Sequence, residues 1–292
     1  MNKRQVISLL IALIAFDIGL AVAFAGGVGG AELAGWPVMV ICAVWAFALN
    51  WLMFIPANIY HTEKYYDLTG SLTYISVILL AVYLSPELDA RGSIVTALVL
   101  LWAIRLGSFL FRRIARDGKD DRFDEIKTNP TRFFAAWTLQ GLWVVLTSAC
   151  AVAVITGGER EPMGLIGRVG VSLWVLGFII EVIADAQKSS FKKDPENKGH
   201  FISAGLWAWS RHPNYFGEMV LWTGIAVIAF PVLAGWQYVT LISPVFVYVL
   251  IRYISGVNKL EEKANSKWGD DPEYQRYRDS TPMLMLWPPR NS

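Results

Sequence analysis

The chain has 292 residues, of which 54% are hydrophobic and 13% aromatic, and its formal net charge at neutral pH is +2. Charged residues make up 17% of the chain, below the roughly 25% of an ordinary soluble domain. The composition therefore argues against a soluble protein. Because no long basic stripe is present, we expect no nucleic-acid partner.

Apolar residues come in long blocks, and blocks of about 17–25 residues are long enough to cross a bilayer as helices. We predict an all-α integral membrane protein, a bundle of eight transmembrane helices. Seven remain possible, because the third block is short and a Pro231/Gly235 break separates the last two. The predicted spans are residues 5–25, 37–57, 70–85, 93–111, 133–156, 164–185, 217–234 and 237–254.

Basic residues are distributed unevenly between the two sides that eight spans define. The N-terminus and the loops on its side hold 22 of the 26 Lys and Arg residues. Basic loops favour the cytoplasm, so we predict that both termini are cytoplasmic. The first span is long and contains Asp17, which favours a retained anchor over a cleaved signal peptide. Cys42 and Cys150 lie in predicted spans and imply no disulfide framework.

A polar cluster, residues 61–67, precedes the third span and contains Glu63, Tyr66 and Asp67. A carboxyl group in a low-dielectric site stays protonated at neutral pH and can donate a hydrogen bond. These three residues are therefore candidate catalytic groups that polarise a carbonyl. An ordinary charged loop is the alternative interpretation.

Ionised residues inside a membrane span are costly unless they are paired or hydrated. Arg105 lies within the fourth span and is either a functional group or an arginine that extends to the cytoplasmic interface. Glu181 and Asp185 are one turn apart near the inner end of the sixth span. They either line a cofactor pocket or pair with Lys188.

The segment Arg211-His212-Pro213-Asn214-Tyr215-Phe216-Gly217-Glu218 lies where a basic loop meets an apolar block. Proline favours the first helical position, so we predict that a helix begins at Pro213. Its free amide groups and its dipole make an anion site, and Arg211 and His212 are expected to reinforce the positive charge. An interfacial helix cap in contact with lipid headgroups is the other interpretation.

The C-terminal tail combines a charged stretch, residues 259–263, with a segment rich in aromatic residues that ends at Trp287-Pro288-Pro289. Such an amphipathic tail suits the cytoplasmic interface of the membrane. It is either a surface anchor or a cap over a bound cofactor.

Two common kinds of site have no signature here. The three histidines have no zinc-ligand spacing, so we predict no metal. The glycine run at residues 26–30 lies in an outer loop and is not a dinucleotide fingerprint. A nucleotide cofactor would therefore bind between helices.

The residues from Ser210 to Glu218, with Asp185 upstream and the Glu261-Glu262…Tyr274…Tyr277…Trp287-Pro288 tail, resemble the bacterial branch of the steroid 5-alpha-reductase-like membrane proteins. The resemblance covers roughly residues 95–289. It implies an oxidoreductase acting on CH–CH groups, which uses NADPH to reduce a carbon–carbon double bond conjugated to a carbonyl in a steroid-like or isoprenoid lipid.

The resemblance also implies roles for individual residues. Asp185 and Asn214 match nucleotide-holding positions, and Glu218 belongs to the Gly-Glu pair of the family pattern. Arg116, Lys192 and Arg252 match basic positions of the family. The remaining predicted cofactor-binding residues are Arg112, Arg211, His212 and Tyr215. The predicted catalytic residues are Glu63, Tyr66, Asp67 and Arg105. Where the steroid enzymes use a tyrosine, this chain has Trp102, so the proton donor and the exact substrate stay open.

A second family shares the Arg-His-Pro-x-Tyr element and the Glu-Glu tail. It comprises S-adenosylmethionine-dependent membrane methyltransferases that act on isoprenylcysteine or phospholipid amines. Basic residues suited to phosphates favour NADPH, because S-adenosylmethionine has no phosphate groups. The methyltransferase is the alternative function.

Residues 1–292 are predicted to form a single membrane domain in the bacterial inner membrane, with N-terminal spans in 1–92 and a reductase-like core with a cytoplasmic cofactor face in 93–292. The expected partners are membrane lipid and a lipid-soluble enone substrate. The sequence leaves the oligomeric state open. A transporter or a structural membrane protein is the non-enzymatic alternative, which predicts polar residues on both membrane faces.

Overall fold

A computed structural model describes residues 3–117, 120, 123–254 and 256–288, with the backbone alone for residues 115–117. The described part is almost wholly helical, with one short hairpin of strands β1 (Glu32–Leu33) and β2 (Trp36–Pro37). Its α-helices are α1 Lys3–Gly26, α2 Val38–Ile59, α3 Tyr66–Leu84, α4 Ala90–Asp117, α5 Pro130–Thr156, α6 Leu165–Lys193, α7 Pro213–Ala229, α8 Ile242–Val249, α9 Val257–Trp268 and α10 Pro272–Ser280.

Within these residues, eight helical segments are long and apolar enough to cross a membrane. Six are the helices α1 to α6, the seventh continues α7 to Val232, and the eighth contains α8. The 3₁₀ turns at Gly235–Leu241 precede α8, and a π-helical turn at Leu250–Ile254 follows it. The prediction of an all-α membrane protein with about eight spans is confirmed.

Several helices extend beyond the predicted spans, among them α3, α4 and α6. Helix α3 begins at Tyr66 rather than at residue 70, with Asp67 in its first turn, where an acidic side chain interacts favourably with the helix dipole. The helices α4 and α6 run on to Asp117 and Lys193. Hydropathy marks only the apolar part of a helix, and these ends are polar.

The chain folds into two compact units. Unit 1 comprises Met1–Gly167 and Ala226–Ser243, and unit 2 comprises Arg168–Ile225 and Pro244–Ser292. Helix α5 forms the centre of unit 1. Of its most apolar stretch of 18 residues, 89% is buried, and α1, α2, α3 and α4 pack against it. This division does not test whether residues 1–292 form a single domain, so that statement stays a prediction.

Small residues explain how closely α1 packs against α5. The buried positions of α1 are small residues at helical spacing, namely Ser8, Ala12, Ala15, Gly19, Ala23 and Gly26. Such a stripe lets helix backbones approach each other, which replaces the hydrophobic effect as the packing force inside lipid.

In unit 2, glycines bring α6 and α7 into backbone contact. A Cβ atom added to Gly217 would lie 2.5 Å from the carbonyl oxygen of Gly177, and one added to Gly224 would lie 2.7 Å from that of Gly170. The two pairs fix an antiparallel register. The start of α7 therefore lies beside the polar end of α6, where Glu181 and Asp185 are found.

Candidate functional site

Each unit holds a different part of the predicted site. Unit 2 contains most of the predicted cofactor-binding residues: Asp185, Lys192, Arg211, His212, Asn214, Tyr215, Glu218 and Arg252. Unit 1 contains the four predicted catalytic residues and two predicted cofactor-binding arginines: Glu63, Tyr66, Asp67, Arg105, Arg112 and Arg116.

Helix α7 begins at Pro213, as its sequence predicts. Gly217 contacts α6 so closely that an added Cβ would lie 2.7 Å from the backbone nitrogen of Glu181. Glu181 and Asp185 are both buried. The backbone of Glu181 therefore lies beside the first turn of α7, and Asp185 lies one turn further along α6.

An ion cluster lies directly before α7, made of Arg211, His212 and Glu261 of α9. Glu261 joins the other two side chains: its Oε2 is 2.6 Å from Nη1 of Arg211, and its Oε1 is 2.8 Å from Nε2 of His212. All three side chains are at least 86% buried. Two further polar atoms, Nε of Arg211 and Nδ1 of His212, are buried and have no hydrogen-bond partner among the described residues.

The charge of this ion cluster differs from the sequence expectation. Burial lowers the pKa of His212, and the positive charges of Lys188 and Arg211 add to that effect, while hydrogen bonding to Glu261 only partly opposes it. His212 is therefore neutral at neutral pH, and Glu261 offsets the charge of Arg211. The expectation that both basic residues add positive charge here is wrong.

The C-terminal tail lies over the loop that carries the ion cluster. The backbone N–H of Arg211 donates to the carbonyl of Pro282 at 2.9 Å, and Oγ of Ser210 donates to that of Leu284 at 3.1 Å. The N–H of Trp287 donates to the carbonyl of Trp209 at 3.1 Å. The tail thus covers the loop, while 67% of Trp287 stays exposed.

Trp207 and Tyr277 hold the same loop in place. The indole N–H of Trp207 donates to the carbonyl of Ala184 on α6 at 3.1 Å, and the Tyr277 hydroxyl donates to the carbonyl of Trp207 at 2.7 Å. Sequence reasoning missed Trp207 and the pairing of Glu261. It named Ser210 and Tyr277 as part of the family pattern but predicted no contact for either of them.

Other predicted cofactor-binding residues surround the start of α7 or lie farther along unit 2. The ring of Tyr215 stacks on that of His212 with centroids 5.9 Å apart. Asn214 and Glu218 are half-buried, and Lys192 is exposed. Arg252 donates to Oδ1 of Asn258 at 2.5 Å. The roles of these residues in binding a cofactor stay predictions.

In unit 1, Glu63 is 4% exposed. Its Oε2 is 2.7 Å from Nζ of Lys127, and its Oε1 accepts from the backbone N–H of Asp120 at 3.1 Å. Burial alone would raise the pKa of Glu63, but the hydrogen bonds from Lys127 and from backbone amides outweigh burial and lower it. The expectation of a protonated Glu63 that donates a hydrogen bond is therefore wrong.

The other predicted residues of unit 1 have structural contacts of their own. The Tyr66 hydroxyl donates to the carbonyl of Ala136 at 2.9 Å, and Asp67 pairs with Arg113 at 3.0 Å. The guanidinium of Arg105 lies 5.4 Å from the ring centre of Phe109.

The remaining unit 1 residues differ widely in environment. Arg112 is exposed, and the side chain of Arg116 lies outside the described residues. Trp102 is 1% exposed and packs edge-on against Tyr74. Among the described residues, no group of three or more His, Cys, Asp or Glu is placed to hold a metal ion.

The lowered pKa of Glu63 predicts an acid-sensitive ion pair. Because its folded-state pKa lies below the ordinary value of 4.5, its contribution to stability is fully present above that value and is lost as pH falls through the folded-state pKa. We expect the melting temperature of the wild type to fall more steeply below pH 4.5 than that of Glu63→Gln. The exposed neighbour Glu125→Gln is the matched control. If the melting temperatures of the wild type and of Glu63→Gln fall equally as the pH is lowered, the ion pair between Glu63 and Lys127 is contradicted.

Most of the chain matches a known protein family. Residues 53–281 match the family described as "Protein of unknown function (DUF1295)". The chain belongs to this DUF1295 family. The match includes both carboxylates on α6, the ion cluster and the helices α7 to α10.

Three relatives of this DUF1295 protein are informative. An uncharacterized protein of Schizosaccharomyces pombe is 25% identical over 65% of this chain and 61% of its own length. "Probable O-methyltransferase ustE" of Ustilaginoidea virens is 29% identical over 31% of each chain. The 3-oxo-5-alpha-steroid 4-dehydrogenase 1 of Bos taurus is 30% identical over 24% of this chain and 26% of its own.

These matches span less than two thirds of each relative. No solved structure shows significant similarity to the chain. The comparisons therefore support a distant relationship to a steroid dehydrogenase and to a methyltransferase.

Proposed function

We propose that this membrane protein is an NADPH-dependent oxidoreductase that reduces a carbon–carbon double bond conjugated to a carbonyl in a steroid-like or isoprenoid lipid. The observation that carries the proposal is the start of α7, where glycine contacts bring helix amides and a buried ion cluster beside two buried carboxylates of α6. The similarity to a 3-oxo-5-alpha-steroid 4-dehydrogenase supports the same reaction class.

The donor set of unit 2 fits a dinucleotide. Nε of Arg211 is a buried donor without a partner among the described residues, and the backbone N–H of Asn214, in the first turn of α7, has no intrahelical acceptor. Both suit phosphate oxygens, and Lys192 adds an exposed positive charge. The half-buried carboxamide of Asn214 offers both a donor and an acceptor. When bound, NADPH would supply the hydride.

The substrate side of the proposal rests on Arg105. Glu63 is ionised and paired, so it accepts hydrogen bonds rather than donating them. The guanidinium of Arg105 carries hydrogen-bond donors and no acceptor, so Arg105 can donate to a carbonyl oxygen as negative charge develops there. Stabilising that charge lowers the barrier to reduction. The predicted roles of Tyr66 and Asp67 remain part of the proposal.

The proposed setting is the bacterial inner membrane, with both termini in the cytoplasm and the cofactor drawn from that side. The basic residues concentrated in loops of one predicted side support this orientation. Long exposed apolar surfaces on the spanning helices, such as Leu13 and Ile14 of α1, suit contact with lipid and lateral entry of an apolar substrate.

One observation favours a second function, methyl transfer from S-adenosylmethionine. The ion cluster has no net charge, because Glu261 offsets Arg211 and His212 is neutral. S-adenosylmethionine carries no phosphate and needs less positive charge than NADPH. The similarity to a fungal O-methyltransferase points in the same direction.

The mass of the product distinguishes the two reactions. Purified protein in liposomes is supplied with a steroid 4-en-3-one and with NADPH deuterated at both C4 positions, or with S-adenosylmethionine and a prenylcysteine. The proposal predicts a saturated ketone that carries one deuterium and one new hydrogen. A methylated product instead, or neither product with these probes and a total lipid extract, would contradict it.

A further inference from the structure

The unpartnered nitrogen of His212 contains information about what the site binds. His212 is 5% exposed, and its Nδ1 has no hydrogen-bond partner among the described residues. Buried polar atoms almost always have a partner in the functional state of a protein. A ligand group or a water molecule therefore has to meet this atom.

The partners of the ring fix which nitrogen carries the proton. Glu261 is held by Arg211 at 2.6 Å, so its carboxylate is ionised and only accepts hydrogen bonds. Since Oε1 of Glu261 is 2.8 Å from Nε2 of His212, Nε2 must carry the hydrogen. In a neutral imidazole the other nitrogen, Nδ1, is then a bare acceptor.

An acceptor at this place restricts the ligand group that can face it. The oxygens of a pyrophosphate at neutral pH are themselves acceptors, so they repel the lone pair of Nδ1. A hydroxyl group of a ribose or an amino group of a base or carboxamide can donate to it. The inference rests on the proposed function, because it concerns the nucleotide that this function requires.

We propose that Nδ1 of His212 accepts a hydrogen bond from a ribose hydroxyl or an amino group of the bound nucleotide. His212 is then a specificity residue for a donor group, and the phosphates lie against Arg211 and the α7 amides instead. This assignment replaces the phosphate-side role that the sequence suggests for His212.

The matched variant is His212→Gln. The carboxamide of glutamine reaches the position of Nε2, so it keeps a donor for Glu261 while the acceptor at Nδ1 is lost. We expect a melting temperature close to that of the wild type and an affinity for NADPH about tenfold lower, the effect of one lost hydrogen bond to a buried group. The exposed histidine variant His200→Gln is the control and should leave both values unchanged.

Two further readouts separate binding from folding. NADPH analogues that each lack one donor, a single ribose hydroxyl or the adenine amino group, are titrated against the wild type and His212→Gln. For the analogue that lacks the group facing Nδ1, the wild type should have a lower affinity than for NADPH. His212→Gln should bind that analogue and NADPH with equal affinity.

The pH dependence of affinity is the second readout. Protonation of Nδ1 turns the acceptor into a donor, so NADPH affinity of the wild type should weaken as pH falls through the pKa of His212, which burial holds below its ordinary value, whereas His212→Gln should lack this component. Glu261, Lys188 and Arg211 are the charged groups that act on this ring.

The possible failures are distinguishable. Equal NADPH affinity in the wild type and a folded His212→Gln, with no analogue that separates them, would overturn the inference and leave the proposed function standing. Failure of the wild type to bind NADPH would contradict the proposed function and this inference together.

Discussion

Replacing Glu261 by alanine is expected to reduce the free energy of unfolding by about 3 kcal/mol, the usual cost of removing one partner from a buried ion pair. The change leaves the guanidinium of Arg211 buried without its carboxylate and removes the acceptor of His212 at the same time. Because the two residues directly precede α7, we also expect a loss of cofactor affinity. Thermal unfolding in detergent and NADPH titration measure the two effects.

The adjacent glutamate provides the control for this experiment. Glu262 lies on the same helix α9 but is exposed, so Glu262→Ala should melt within about 0.5 kcal/mol of the wild type, as surface substitutions usually do. If Glu261→Ala and Glu262→Ala are equally stable, the ion cluster does not hold the loop before α7 in place.

A large side chain at Gly217 is expected to separate α6 from α7. Even a Cβ atom there would lie 2.5 Å from the carbonyl oxygen of Gly177 and 2.7 Å from the backbone nitrogen of Glu181. These neighbours are backbone atoms of a helix and cannot rotate away. We expect Gly217→Leu to cost about 3 kcal/mol, the upper end for overpacked sites, and to abolish NADPH binding because the start of α7 moves.

Gly164→Ala is the matched control for the glycine contact. At that position the nearest atom to an added Cβ is 4.0 Å away, which is ordinary contact. This variant should unfold and bind cofactor like the wild type. Wild-type stability and NADPH affinity in Gly217→Leu would show that the close approach of the two helices does not shape the site.

The sequence predicts the elements of this fold better than their contacts. Hydropathy predicts the spans because lipid contact demands apolar residues over a fixed length. Proline preference predicts the start of α7. Hydropathy did not predict the polar ends of α4 and α6. A helix that leaves the membrane keeps its backbone hydrogen bonds, but its residues are no longer apolar.

Pairings between distant residues could not be predicted from one sequence. Glu261 lies 49 residues from His212, and Lys127 lies 64 residues from Glu63. The Lys127 pairing reverses the expectation about Glu63, because a carboxylate with a cation beside it stays ionised despite burial. For His212, burial reverses the expectation and outweighs the pairing with Glu261.

Arg91 shows the same limit. Its position in an outer loop suggests nothing special, yet it is 2% exposed and donates to the carbonyls of Ile228 at 2.6 Å and Pro162 at 2.9 Å within unit 1. Arg91 in fact lies in the first turn of α4, and local sequence cannot reveal which carbonyls it reaches.

Cofactor protection against heat tests the central claim most directly. The purified protein is heated with NADPH, with S-adenosylmethionine or with neither, alongside the variants Asn214→Ala and Asp185→Ala. A nucleotide site at the start of α7 predicts that NADPH raises the melting temperature of the wild type and that both variants lose this protection while still folding. Protection by S-adenosylmethionine alone, or undiminished NADPH protection in both variants, would contradict it.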